Sequence, residues 1–244
     1  MEIEIQTGDE LNTLLDALAR EITKANDYYR LFRDLISAMP AYEREILQSN
    51  TFWTFVIEAL RETYMGCLCR IYDQQNKSLN LVNLLDTMKA NHGFFSEAHF
   101  RQRLAKNAFV DSLARTNRIP RMEDLEKDIL QVSDENPRVK KLIIWRNNIV
   151  AHIGSKVSLG KKQVLLDNPL SEEEVEVLVK DSLDIFNKYS SLYRASTHSQ
   201  LLIGGDDYKI LLKFLGLGLK KHDEDIEKEI ADVKARFEKR TGPK

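Results

Sequence analysis

Apolar positions recur at three- and four-residue steps along most of this chain, which is the period of helices packed on one face. Thr7-Gly-Asp-Glu10 has the spacing of a capping box, and Leu11, Leu14, Leu15, Leu18 and Ile22 follow as a buried stripe. The helix they predict runs to about Met39, where Pro40 ends it. A second helix starts after Ser49-Asn50 and reaches about Gln74. Phe52, Trp53, Phe55, Val56, Ala59, Leu60, Tyr64, Cys67, Leu68 and Ile71 make it apolar on more than one face, so it is expected at the centre of the fold. Ser78 is positioned to cap a short helix through Met88, and another helix follows Ser96, with Leu104, Ala108, Val110 and Leu113 on its inner face.

The second half reads in the same way. Met122 to Val132 is a short helix. Asn136-Pro137 then pairs a capping side chain with a proline at the first helical position, starting a helix that should stop at Gly154. Ser155 to Pro169 is expected to be a loop with a brief extended piece at Gln163–Leu166. Ser171-Glu-Glu-Glu174 is a second capping box for a helix to about Ala195. The body therefore spans residues 1–200, and 201–244 form an amphipathic helical extension. In that extension Gly216 and Gly218 should interrupt an apolar run, and Ile226, Ile230, Val233 and Phe237 mark a stripe that packs on the body or on a partner.

Composition supports an all-α class. Only 10 Gly and 5 Pro occur in 244 residues, few for a turn-rich β fold. The net charge of -2 provides no global attraction for nucleic acid, so any such binding must use a local patch. Cys67 and Cys69 stand two apart in a helical pattern, point in different directions, and read as buried free thiols of a reducing cytoplasm. The chain starts without a signal-peptide pattern, and it has no apolar run of membrane-spanning length, so no membrane association is expected.

The candidate chemistry lies in Lys141-Leu-Ile-Ile-Trp-Arg146-Asn147-Asn148-Ile-Val-Ala-His152-Ile-Gly154. Wound as an ideal helix, Val139, Leu142, Ile143, Ile149, Val150 and Ile153 form one stripe with Arg146 in its middle. A guanidinium on an apolar face costs several kcal/mol in rough terms unless it is paired or faces a cleft. Asn148 and His152 share a neighbouring face with Trp145. Arg146 and His152 lie about 9 Å apart along the axis and about 120° around it, too far to touch but able to hold a phosphodiester between them. Between Asn136 and Leu166 the chain carries Lys140, Lys141, Lys156, Lys161 and Lys162 beside two arginines, and no acidic residue. Such a window can meet a phosphate backbone, or it can be an ordinary solvated basic loop. Arg70-Ile-Tyr72-Asp73 offers a second element: Arg70 and Asp73 can pair on the surface, or Asp73 can pair with Arg146 across the bundle. Arg146 then has two readings, a buried structural cation or a phosphate ligand. His92 and His99 have no third partner at metal-ligand spacing, so no metal site and no cofactor are expected.

Lys-Leu-Ile-Ile-Trp-Arg-Asn-Asn-Ile-Val-Ala-His-Ile, preceded by Arg70-Ile-Tyr-Asp73 and Lys77-Ser-Leu-Asn-Leu, resembles the HEPN superfamily, in particular its abortive-infection AbiU-type branch. The resemblance covers roughly Thr7 to Ala195. It implies an all-α, HEPN-like helical bundle that forms a homodimer, with the Arg/His helices of two copies meeting at a shared cleft. It also implies metal-independent endoribonuclease activity on RNA, tRNA among the candidates, in a phage-defence or toxin–antitoxin setting with an antitoxin partner. By that analogy His152 is the general base or acid, Arg146 binds the scissile phosphate, and Asn147 orients a phosphate oxygen or the histidine. Asn148 and the basic residues would hold RNA, with Arg70 and Asp73 in support. Some members carry a tyrosine two positions after the histidine, modified by a partner nucleotidyltransferase. Gly154 stands there, so that control is not expected. Other members are inactive and serve as RNA- or protein-binding scaffolds, the alternative function for this chain.

Overall fold

A computed structural model of the protein describes residues 2–150 and 164–241. Among these there is no strand, and the architecture is all-α. The chain divides into two compact units, Met1–Tyr29 with Leu60–Leu202, and Arg30–Ala59 with Ile203–Lys244. Helices α1 (Gly8–Ala38) and α3 (Asn50–Ile71) each supply residues to both.

In the first unit α1 begins at the expected capping box: the Glu10 amide donates to the Thr7 hydroxyl, and the Glu10 carboxylate accepts the Thr7 amide at 2.9 Å. Leu11, Leu15, Leu18 and Ile22 are buried along it. The part of α3 in this unit carries Leu60, Tyr64, Cys67, Leu68 and Ile71 into the core, as its apolar pattern requires. Next come α4 (Leu81–Ala90), a 3-10 turn at His92–Phe95, α5 (Glu97–Arg103), α6 (Val110–Leu113) and α7 (Met122–Val132), with α4 packed on α7. Ser96 caps α5, but that helix is short. Leu104, Val110 and Leu113 are only half-buried and Ala108 is exposed, which explains the loose period there. The α4 cap is Asn80 rather than Ser78, its side chain accepting the Asn83 amide at 2.8 Å. The Ser78 hydroxyl is instead engaged by Asp73.

Helix α8 (Pro137–Trp145) starts at Asn136 as expected, the side chain accepting the Arg138 amide at 3.0 Å. A single turn, α9 (Val164–Asp167), stands where an extended piece was expected. Short apolar runs do not distinguish the two by pattern. Helix α10 (Glu172–Arg194) has the full Ser171/Glu174 capping box and ends at Ala195, in the left-handed conformation with φ 52°. Its Leu178, Leu183, Phe186, Tyr189 and Tyr193 fill the core against α5 and α8. Two tyrosine hydroxyls close distant parts of the unit, Tyr72 donating to the Leu178 carbonyl and Tyr193 to that of Gly8. Asp128 is buried and accepts from Lys188 and Tyr189, both at 2.7 Å.

In the second unit a 3-10 turn at Met39–Tyr42 and the short helix α2 (Glu43–Leu47) lie between the segments of α1 and α3. The extension is one 34-residue helix, α11 (Tyr208–Thr241), which Gly216 and Gly218 do not interrupt. Helix formation is cooperative, so single glycines at about 1 kcal/mol each do not break a long helix that is packed elsewhere. Gly216 lets the Glu45 carboxylate lie against the backbone, where a Cβ would displace it. Asp34 accepts from Tyr208 and Lys209, and Arg44 pairs with Asp223 at 2.6 Å. Leu212 is buried, and Leu215 and Leu219 are half-buried on the same face. Phe52 and Phe55 of α3 are 60% and 64% exposed, so in this unit α3 does not have the central position its apolar pattern suggested. No described helix is long and apolar enough to cross a membrane.

Candidate active site

Asp73 follows the last turn of α3 and is held before anything reaches it. One carboxylate oxygen accepts the Gln75 amide at 3.2 Å, and the other accepts the Ser78 hydroxyl at 3.0 Å. The turn from Asp73 to Asn80 is itself fixed, because Asn83 donates to the carbonyls of Gln75 and Ser78, both at 2.8 Å. Gln74 bridges this turn to α7 through the Val132 carbonyl. A buried carboxylate so oriented presents its two oxygens to a matching donor pair.

Arg146 supplies that pair. Its two terminal nitrogens lie 2.9 and 3.3 Å from the two oxygens of Asp73, a fork-to-fork contact. Asp73 is 8% exposed at the side chain and Arg146 22%, so the carboxylate is enclosed while one side of the guanidinium is open. Of the two pairings raised for Asp73, this is the one the structure forms. Arg70 turns away and pairs with Glu21 at 2.8 Å, with a further contact to the Cys67 thiol.

The backbone changes at the same residue. After Trp145 the α-helical period gives way to a wide turn of the π type at Arg146–Val150. Wide turns of this kind recur at functional sites because they redirect side chains without ending the helix. Asn148 donates its amide to the Ile144 carbonyl at 2.7 Å, four residues back, where the period changes. The Trp145 indole donates to the Asn168 carbonyl, anchoring the α8 end to the segment after α9. The helix expected to run to Gly154 is described only as far as Val150, and from Arg146 on it no longer keeps the ideal α period. His152, Lys156, Lys161 and Lys162 lie outside the described residues.

Arg146 opens onto a cavity of about 600 Å3, whose walls include Arg61, Cys69, Arg70, Trp145 and Ile149, with Glu62 as an acidic member. Three arginines on one cleft with an indole among them offer charge and a stacking face to an anionic, aromatic ligand. Arg61 was not singled out by sequence reasoning. It lies nine positions before Arg70 on α3, and only the fold shows that both reach the cleft. Asn147 is exposed and Lys140 is exposed on α8. Lys141 forms an ion pair with Glu174 at 2.7 Å, and this contact, more than any other, holds the Glu174 carboxyl below its ordinary range. The basic window is thus partly neutralised by a residue outside it. The imidazoles of His92 and His99 bond to the Pro120 carbonyl and the Ser96 hydroxyl. Among the described residues, no cluster of three or more His, Cys, Asp or Glu could hold a metal ion.

Both cysteines are free and buried. Burial pushes the Cys67 thiol up to about 11, Glu21 adding to it, and pushes Cys69 up to about 12 despite Arg146 and Arg70 nearby. Since the thiolate is the nucleophile, neither should react with a disulfide reagent at pH 8 until the chain is unfolded. Rapid release of even one equivalent of chromophore from the native protein would contradict this.

A model of the family HEPN_AbiU2, described as AbiU2, matches residues 8–214. No curated protein and no solved structure matches the chain. The family match spans most of the sequence and includes the Asp73 turn, the Arg146 helix and α10, and the chain belongs to the AbiU2 family of HEPN domains.

Proposed function

We propose that the protein is a metal-independent endoribonuclease of an abortive-infection or toxin–antitoxin system, acting on RNA at the Arg146 cleft. The observation that carries this reading is the position of Arg146. It is fixed by a buried carboxylate on one side and open on the other, to a cleft that two more arginines line.

RNA needs little from such a site. The 2′-hydroxyl attacks the adjacent phosphorus, the bond to the 5′-oxygen breaks, and a 2′,3′-cyclic phosphate and a 5′-hydroxyl result. His152 takes the 2′-hydroxyl proton or returns one to the leaving oxygen, a role suited to a group that titrates near neutrality. Arg146 stabilises the charge that builds on the phosphate oxygens. Asn147 donates to one of those oxygens or orients the imidazole. In this reading two copies meet at the α8 helices, and an antitoxin or an infection signal controls the cleft. The substrate is tRNA or another RNA with a single-stranded loop, since unstacked bases can reach Trp145.

Arg61, Arg70 and Lys140 guide the RNA backbone toward Arg146. Arg61→Ala should therefore weaken RNA binding several-fold and reduce the slope of log K against log salt by roughly 0.7–0.9, with the turnover of bound RNA little changed. An unchanged salt slope would remove Arg61 from the path. The reading as a whole is tested by incubating the purified protein with end-labelled tRNA and single-stranded RNA in EDTA. Cleavage that leaves cyclic-phosphate ends is expected.

One observation favours the rival reading, a non-catalytic RNA- or protein-binding scaffold. The Asp73 pair gives Arg146 a sufficient structural role by itself. On that reading RNA would bind with the salt dependence above and remain intact.

A further inference from the structure

Helix α11 carries one apolar face from Leu212 to Phe237, interrupted at Asp223, which pairs with Arg44. Over its first half that face carries Leu212, Leu215 and Leu219, buried or half-buried within the second unit, where α11 packs on α2. The same face continues through Ile226, Ile230, Val233 and Phe237, which are 41%, 50%, 49% and 65% exposed. From Glu224 to Phe237 every residue is exposed. The four apolar residues follow one another at steps of four, three and four, the seam of a two-stranded coil rather than the broader stripe of a helix lying on a globular body.

The flanking charges say what fits this seam. Glu227 and Lys234 stand on one side of it, one heptad apart, and Glu229 and Arg236 stand on the other side in the same order. Each flank is acidic first and basic second. When such a helix meets a second copy of itself running in the opposite direction, Glu227 faces Lys234 of the second copy and Glu229 faces its Arg236. Symmetry then makes four opposite-charge pairs. Ile226 packs against Phe237 of the second copy, and Ile230 against its Val233. A parallel arrangement leaves two such pairs and sets Asp223 against Asp223 of the second copy in the seam.

We infer that residues 226–237 form an antiparallel helix pair with a second copy of this chain. This interface is separate from the Arg146 cleft and does not rest on the ribonuclease reading. Four layers make a small interface against the roughly 1,200 Å2 of a standard stable complex. The helix is already formed as a continuation of the packed half of α11, however, so pairing does not have to nucleate it. Association is therefore expected in the micromolar range.

The test is the dissociation constant of the full chain by sedimentation equilibrium, with circular dichroism to check the fold. Ile230→Asp, at an exposed position, should abolish the association made through this helix and leave untouched any pairing at the α8 helices. Lys234→Glu should raise the dissociation constant about tenfold or more, by setting like charges face to face. Adding Glu227→Lys to Lys234→Glu should restore it, because that pair is rebuilt only in the antiparallel register. Adding Glu229→Lys to Lys234→Glu should not. A parent chain that is monomeric at tens of micromolar would overturn the inference. So would an association that Ile230→Asp leaves unchanged, which would place the contact on another face, and so would rescue by Glu229→Lys alone.

Discussion

Asp73→Ala is expected to lower the stability of the protein by about 2–4 kcal/mol, and its melting temperature by roughly 5–12 °C. The carboxylate is 8% exposed and accepts from Arg146, Ser78 and Gln75, so its removal takes the acceptor from the guanidinium and the Gln75 amide and leaves the Ser78 hydroxyl only the Gln75 carbonyl. Removing one partner of a buried ion pair typically costs about 3–5 kcal/mol, and the value here is reduced because Arg146 is 22% exposed and water can reach it. Asp73→Asn should cost less, since one oxygen still accepts. Arg146→Ala strands the carboxylate and should cost about as much as Asp73→Ala. The loss in a double variant should fall well below the sum of the single losses, because both act on one contact. Thermal denaturation of the four proteins decides this. Additive losses would mean that the pair contributes nothing to stability.

Arg146→Lys separates holding the fold from holding the phosphate. Lysine keeps the positive charge beside Asp73 but loses the planar fork, so one side chain can no longer satisfy the carboxylate and an oxyanion together. Cleavage is expected to fall by roughly 10²–10³-fold, the usual effect of losing one donor to developing charge, with a smaller change in melting temperature than in Arg146→Ala. If Arg146 were only structural, activity would instead follow the folded fraction, and Arg146→Lys would retain most of it. Turnover at saturating RNA and the melting temperature, measured on the same preparations, distinguish the two.

Local signals were the most readable part of this chain. Thr7/Glu10, Ser171/Glu174 and Asn136-Pro137 each fix a helix start through contacts within four residues, and all three helices begin there. The Asp73–Arg146 contact was legible for a different reason. A cation in an apolar stripe needs a counter-charge, and Asp73 was an available carboxylate at the end of an apolar helix.

What escaped depends on distant neighbours. Ser78 and Asn80 are both good caps two residues apart, and only the demand of Asp73 for a hydroxyl donor decides between them. Lys141 reads as free charge until Glu174 arrives from a helix 33 positions away. Phe52 and Phe55 look like core because composition does not reveal which part of a long helix is covered. Gly216 looks like a break until the Glu45 carboxylate is seen beside it. The wide turn at Arg146–Val150 has no periodic signature in five residues.

The reaction proposed for this protein is cleavage of RNA by Arg146 and His152 without a metal. The most direct measurement is the rate at which purified parent protein and His152→Ala cut end-labelled RNA in EDTA. Parent cleavage that yields cyclic-phosphate ends, reduced roughly 10²–10⁴-fold in a folded His152→Ala, is the predicted result. Equal cleavage by both proteins, or intact RNA bound by both, would contradict it.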